Sequence, residues 1–269
     1  MTLRQIHYQL VSRQGRENTY RAYKNLSPIL VDARRRGDIR WEQIEDRLRR
    51  PRGVNMWRDA ANFARIVPGS YRRDVWATQP RYVECWVEKD ALSGVFSQTL
   101  APYGVAFHVG RGYDGWSSIY NAAEVYQGRG RRAAARDILI LYFGDLDPSG
   151  EDMPRSLQER LADRGVYPAI RVVSLTPADV SRYQLAENFT PPKEKDSRTP
   201  GYEARHGYAP GEAKCWELDA LPQPVLRARL VEAVESALDI DALRMVWERE
   251  AVEREAIQRA LAPIIAQDA

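Results

Sequence analysis

Four short stretches of the chain carry apolar residues in strand-like order, and most of the remaining apolar positions recur at helical spacing. Tyr82-Val83-Glu84-Cys85-Trp86-Val87 alternates as a strand does, and Ile138 to Phe143 is an unbroken apolar run of the kind buried on both faces of a sheet. Val105 to Val109 and Ala169 to Val173 supply two further strands. Helical stripes lie between them: Trp116, Ile119, Tyr120 and Ala123, then Met153, Leu157 and Leu161. Strands alternating with helices predict β-α-β units and a parallel, Rossmann-like sheet. Near the start, Leu3, Ile6 and Leu10 make one stripe. Ser27-Pro28 opens a second helix through Ile29, Leu30 and Ala33 that stops at Gly37, and Trp41, Ile44 and Leu48 form a third. Val54, Trp57, Ile66, Val67, Val75 and Trp76, set among turn residues, predict short strands or a wing. Residues 187–213 are polar and rich in Pro, Gly and charge. Beyond them, Leu226, Leu230, Val234 and Leu238, then Leu243, Trp247, Ala251, Ile257 and Leu261, predict helices. The organisation expected is a small helical, winged-helix-like domain over 1–78 and an α/β domain with a C-terminal helical extension over 79–269.

Acidic residues stand where two of these strands run out. The first strand stops at Glu88, and the long apolar run stops at Gly144-Asp145-Leu146-Asp147. Ligands of parallel α/β sheets bind at the carboxyl ends of strands, so Glu88, Asp145 and Asp147 are a candidate metal site. In extended backbone Asp145 and Asp147 share a side. Mg²⁺, with Mn²⁺ as the alternative, is the expected guest, because a hard cation that keeps its waters needs only one or two carboxylates plus substrate phosphates. Pro148-Ser149-Gly150 then opens a helix with Ser149 as the expected cap.

Charge divides the chain. Residues 1–80 carry 17 Lys/Arg against 8 Asp/Glu, and residues 81–269 carry 23 against 29. All but one of the N-terminal cations are arginine, including Arg34-Arg35-Arg36, the residue type suited to phosphate contacts, although arginines near helix ends also serve the macrodipole. The two cysteines, Cys85 and Cys215, make neither a disulfide framework nor a zinc cluster. With a mean hydropathy of −0.54 and no apolar segment after the N-terminus, the expected setting is cytoplasmic.

Val87-Glu88-Lys89 before a helix, followed by Asp145-Leu146-Asp147-Pro148-Ser149-Gly150, resembles the Toprim domain of topoisomerases, primases and some nucleases. The closest resemblance is to the A subunit of topoisomerase VI and its meiotic double-strand-break relative, in their small bacterial and phage forms. It implies a Mg²⁺-dependent site acting on DNA at the nucleoid. Arg4-Gln5-Ile6-His7-Tyr8 resembles that family's Arg-Asp-x-Tyr-Tyr motif, with Gln5 in place of the acid and His7 at the penultimate aromatic. The resemblance casts Tyr8 as the nucleophile that becomes linked to a DNA 5′ end, Arg4 as its partner and Glu88 as a catalytic acid. It also implies a homodimer in which the tyrosine of one protomer meets the metal of the other, and it leaves a separate ATPase subunit open.

Helical geometry sets the Tyr8 phenol about 170° from the Leu3/Ile6/Leu10 stripe, off the expected packed face, with Arg4 one turn before it. A phenol with an ordinary pKa near 10 needs such a cation to attack near neutrality. Lys89 is read either as a phosphate contact or as a surface lysine. Gly110-Arg111-Gly112-Tyr113-Asp114-Gly115 matches a dinucleotide-binding pattern but follows the second strand rather than the first. Arg111 there is read as a phosphate contact in a DNA-binding loop, with a plain tight turn as the alternative. In Trp216-Glu217-Leu218-Asp219-Ala220-Leu221, Glu217 and Asp219 are read as supporting groups, caps or surface. The expected function is Mg²⁺-dependent DNA strand cleavage by tyrosine transesterification. A Toprim nuclease using water, or a non-cleaving DNA-binding protein of the same fold, are the alternatives.

Overall fold

The structure is a computed structural model and describes residues 1–40, 43–44, 54–110, 116–129, 137–188, 190, 192 and 196–266. Its centre is a four-stranded, all-parallel sheet in the order β2-β1-β3-β4, built from β1 (Arg81–Val87), β2 (Ala106–Val109), β3 (Asp137–Phe143) and β4 (Ala169–Val172). All four strands start within a residue of where the apolar pattern places them. Ten α-helices surround the sheet among the described residues. Helices α1 (Leu3–Gln14), α2 (Tyr20–Arg36) and α3 (Ala60–Ser70) precede it. Helix α4 (Ser93–Leu100) crosses from β1 to β2, α5 (Trp116–Glu124) lies between β2 and β3, and α6 (Pro148–Ala162) crosses from β3 to β4. Helices α7 (Pro177–Tyr183), α8 (Thr199–His206), α9 (Gln223–Glu235) and α10 (Ile240–Ala266) follow.

Alternation along β1 and β3 builds two apolar faces. On one, Phe96 of α4 packs edge-on against Phe143 and lies beside Phe107. On the other, Tyr126 reaches down to Tyr82, Glu84 and Trp86. Glu84 is buried there and takes hydrogen bonds from the Tyr82 and Tyr126 hydroxyls at 3.0 and 2.9 Å, with His108 Nε2 at 2.5 Å. Paired in this way, a buried carboxylate is tolerated in a core strand.

Several N-terminal expectations change. Helix α2 starts at Tyr20, capped by the Thr19 side chain, so Ser27-Pro28 lies inside it. Its end at Gly37, with φ +84°, matches the sequence reading. Pro28 stands in the third turn of an otherwise capped and amphipathic helix, a position the cap signal of Ser27 disguises. Most of the third stripe, including Trp41 and Leu48, lies outside the described residues. No strand or wing occurs among the described residues of 54–80. Asp59 instead caps α3, which carries Ile66 and Val67 and packs along α10. Val75 and Trp76 enter the main core through a 3₁₀ turn.

No helix among the described residues is long and apolar enough to cross a membrane.

Candidate active site at the carboxyl end of the sheet

The chain leaving β3 is pinned by a second segment that runs antiparallel to it. Leu146 N–H donates to the Trp216 carbonyl at 2.9 Å, and Trp216 N–H returns a bond to the Leu146 carbonyl at 3.0 Å. The Tyr202 hydroxyl bonds the carbonyls of both Leu146 and Lys214, at 3.2 and 2.8 Å. This pairing carries residues 217–219 to the ends of β1 and β3. Leu218 N–H then donates to Asp145 Oδ1 at 2.7 Å.

Lys89, one residue past Glu88, points into the acids so gathered. Its ammonium lies 3.2 Å from Asp145 Oδ2, 2.9 Å from Glu217 Oε1 and 3.3 Å from Asp219 Oδ1. Three donors thus meet three carboxylates. Its side chain is 18% exposed. Burial alone would lower the Lys89 pKa, but the carboxylates of Asp219, Asp145 and Glu217 override it and hold the ammonium charged. Asp219 is fully buried, and its Oδ2 has no hydrogen-bond partner.

Helix α1 delivers Tyr8 and Arg4 to the same group. The Tyr8 hydroxyl donates to Glu217 Oε2 at 2.7 Å, and Arg4 Nε reaches that oxygen at 2.5 Å. Asn188 donates to the other Glu217 oxygen at 3.3 Å. Tyr8 is 0% exposed, which reverses the expectation of an outward phenol. The face of α1 that is buried carries Gln5, His7 and Tyr8, while Leu3, Ile6 and Leu10 are half-buried. The physical reason is that a charged pair and a phenol satisfy a buried carboxylate that an apolar stripe would leave unpaired. Around Tyr8 the apolar contacts form a satellite cluster with Ala186, Ala220 and Val11. Burial, then the Glu217 charge and hydrogen bond, push the phenol well above its ordinary pKa. His7 turns instead to Asn18, at 3.2 Å.

Glu88 and Asp147 stand beside this knot. Glu88 Oε2 accepts from Asp145 N–H at 3.4 Å. Burial first, and the negative charge of Asp147 second, raise the Glu88 pKa. Asp147 itself is the N-cap of α6, its Oδ1 accepting from Gly150 N–H at 2.6 Å, so the cap lies two residues before the expected Ser149. Gly150 is required there, because a Cβ would sit 2.4 Å from the Asp145 carbonyl oxygen.

Among the described residues, no group of three or more His, Cys, Asp or Glu side chains stands in an arrangement that could hold an ion. Of the expected trio, Glu88 accepts from Asp145 N–H and feels the charge of Asp147. Both Asp145 oxygens are committed, one to Leu218 N–H and one to Lys89. The charge of Asp147 bears on Glu88, while Asp145, Glu217 and Asp219 gather on Lys89 and Arg4 adds to Glu217. Two carboxylates with surplus negative charge suit a hard divalent ion that takes its remaining ligands from water and phosphate.

The other candidate residues lie elsewhere. Arg34, Arg35 and Arg36 close α2. Arg34 bonds the Ile44 carbonyl, Arg35 is exposed, and Arg36 pairs with Asp38 at 2.9 Å. Arg111 lies outside the described residues. Lys89 is inside the cluster rather than on a phosphate-facing surface. Sequence reading passed over Glu217 as the hub. The available signal was two acids at alternate positions between Trp216, Leu218 and Leu221, an apolar frame that buries its intervening side chains.

No family model, curated protein or solved structure matches the chain.

Proposed function

We propose that this protein is a divalent-metal-dependent DNA strand-cleaving enzyme of Toprim type, built like the A subunit of topoisomerase VI, with Tyr8 as its nucleophile. One observation carries the reading. Tyr8 and Arg4 meet the acids at the sheet's carboxyl end through a single carboxylate, Glu217, although 209 residues separate Tyr8 from it. A surface tyrosine beside an arginine has no reason to be drawn into such a group.

In this reading Glu88 and Asp147 hold the ion, and Asp145 serves through Lys89 and Leu218 as the buried support of the site. Mg²⁺, or Mn²⁺ in its place, would be held there and would offset the negative charge of a bound DNA phosphate. Arg4, its side chain 32% exposed, would take a phosphate oxygen. The arginines closing α2 supply sequence-independent affinity for the DNA backbone. The tyrosine and the acids assemble within one chain, so each subunit of a homodimer would carry a complete site, and a two-fold axis would present two of them to opposite strands. A separate ATPase subunit enters only if strand passage follows cleavage. Full burial of Tyr8 favours one second reading, cleavage by water with Tyr8 as a structural residue.

Incubation with labelled DNA and Mg²⁺ or Mn²⁺, followed by denaturation, tests the proposal. Label should remain on the wild-type protein and be absent from Tyr8→Phe and Asp147→Asn. Cleavage without attached label that survives in Tyr8→Phe would establish the water reading. DNA retained without any cutting would overturn both. Mixing Tyr8→Phe with Asp147→Asn should not restore cutting, and restoration would move the tyrosine across a subunit interface.

A further inference from the structure

We infer that Glu217 is the proton acceptor for Tyr8, and that Arg4 gates it by being shared between Glu217 and the incoming phosphate. The inference deepens the reading of Tyr8 as nucleophile and rests on it.

The geometry pairs a buried phenol with a carboxylate acceptor. The phenolic O–H points at Glu217 Oε2 at 2.7 Å, within the reach a general base needs. The base is itself held from three sides. Arg4 Nε lies on the same oxygen, Lys89 Nζ on the other at 2.9 Å, and Asn188 Nδ2 on that other at 3.3 Å. Among the described residues Glu217 is the acceptor on the phenol, while His7 faces Asn18. Arg4 and the Tyr8 hydroxyl share one oxygen of that carboxylate. Of the groups around it, Arg4 is at the rim while Lys89 is deep, so a phosphate can draw off the one and leave the other. Drawing Arg4 away also leaves the Tyr8 hydroxyl alone on the oxygen the two groups share. The same arginine then neutralises the phosphate under attack.

The step balances as follows. The Tyr8 O–H bond breaks and its proton passes to Glu217 Oε2. The phenolic oxygen forms a bond to phosphorus, the bond from phosphorus to the 3′-oxygen breaks, and that oxygen takes a proton from solvent. Religation runs the same path backwards, with Glu217 returning the proton to Tyr8.

The charged and titratable groups facing this pair are Arg4 on α1, Lys89 after β1, and Asp219 on the 216–221 segment. Asp145 after β3 lies across the Lys89 ammonium, and the charge of Glu88 is also felt by Glu217. They are unchanged by Glu217→Gln, which keeps the size and a carbonyl oxygen for the Tyr8 hydroxyl to bond. The test has two arms. In the first, the rate of covalent DNA attachment near neutral pH should fall about 100-fold or more in Glu217→Gln. A ring-fluorinated tyrosine at position 8, whose phenol ionises more readily, should restore part of that loss. In the second, fluorine NMR of that residue follows its titration without DNA, and the phenol should ionise at lower pH in Glu217→Gln than beside the native carboxylate. Attachment at the wild-type rate in Glu217→Gln, or an unchanged titration of residue 8, would overturn the inference. Absence of attachment in the wild type would defeat the nucleophile reading instead, while the titration would still report whether Glu217 holds the Tyr8 proton.

Discussion

Replacing Lys89 by methionine keeps the length of the side chain and removes only the ammonium. Asp145, Glu217 and Asp219 would then be left buried together with Arg4 as their nearest remaining cation, on Glu217 alone. Breaking a buried ion pair from one side costs about 3–5 kcal/mol, because the surviving charge is stranded. Against a typical total stability of about 5–15 kcal/mol, that is a large part of what holds the chain folded. For a protein of this size it corresponds to a fall in Tm of roughly 6–20 °C. The pH dependence is signed. The Lys89 pKa is raised on folding, so its contribution is fully present at neutral pH and is lost only in strong alkali as pH rises through the folded value. In the variant the stranded carboxylates can be neutralised by protonation. Its deficit should therefore be largest near pH 7 and shrink as pH falls towards the ordinary carboxylate range. Urea unfolding at pH 7 and at pH 5, followed by circular dichroism, measures both quantities. A variant within about 1 kcal/mol of wild type at pH 7, or a deficit that does not change with pH, would refute the tripod arrangement of Lys89, since exposed pairs are worth only about 0–1 kcal/mol.

Gly150→Ala forces a methyl group into the Asp145 carbonyl and should destabilise by about 1–3 kcal/mol in the same unfolding assay, an unchanged midpoint being the contrary result. Asp147→Asn retains a capping side chain and should leave stability within about 0.5 kcal/mol while weakening Mg²⁺ binding by calorimetry. Equal binding in the two proteins would remove Asp147 from the metal site. Neutralising Arg34, Arg35 and Arg36 together should lower affinity for unrelated DNA sequences alike and flatten its salt dependence, and unaltered affinity at low salt would place the DNA path elsewhere.

The two central strands were legible because a parallel sheet covered on both faces needs unbroken or near-unbroken apolar runs, as in Tyr82 to Val87 and Ile138 to Phe143, and the shorter edge strands β2 and β4 were read from their apolar order alone. Glu88, Asp145 and Asp147 were legible as strand-end acids for the same reason. Their separate duties were not, since a carboxylate that caps a helix, one that accepts from Leu218 N–H and one that accepts from Asp145 N–H look alike in sequence. The orientation of α1 was misjudged because helical periodicity ranks apolar positions. Here the decisive partner is a charged residue 209 positions away that draws in the polar side of the helix. The start of α2 was hidden by Ser27-Pro28, a strong opening signal that occurs inside the helix, while the weaker Thr19 cap sets the boundary. Residues 54–80 carried turn residues that masked the helix capped by Asp59.

The antiparallel bridge between Leu146 and Trp216 also determines when the site can exist. Its four chain segments are far apart, and Asp219 follows Lys89 by 130 residues. At a synthesis rate of roughly 5–20 residues per second, Lys89 and Asp145 emerge from the ribosome on the order of ten seconds before Glu217 and Asp219. Through that interval the Tyr8 hydroxyl has no Glu217 to bond, and α1 lacks the Ala186 and Ala220 surfaces that complete its satellite cluster. The chemistry of the proposed enzyme is thus withheld from an incomplete chain, however well its sheet has formed. Chains stalled before Trp216 should keep the N-terminal helix open to protease, and protection of that helix in such chains would show that the bridge is not what docks it.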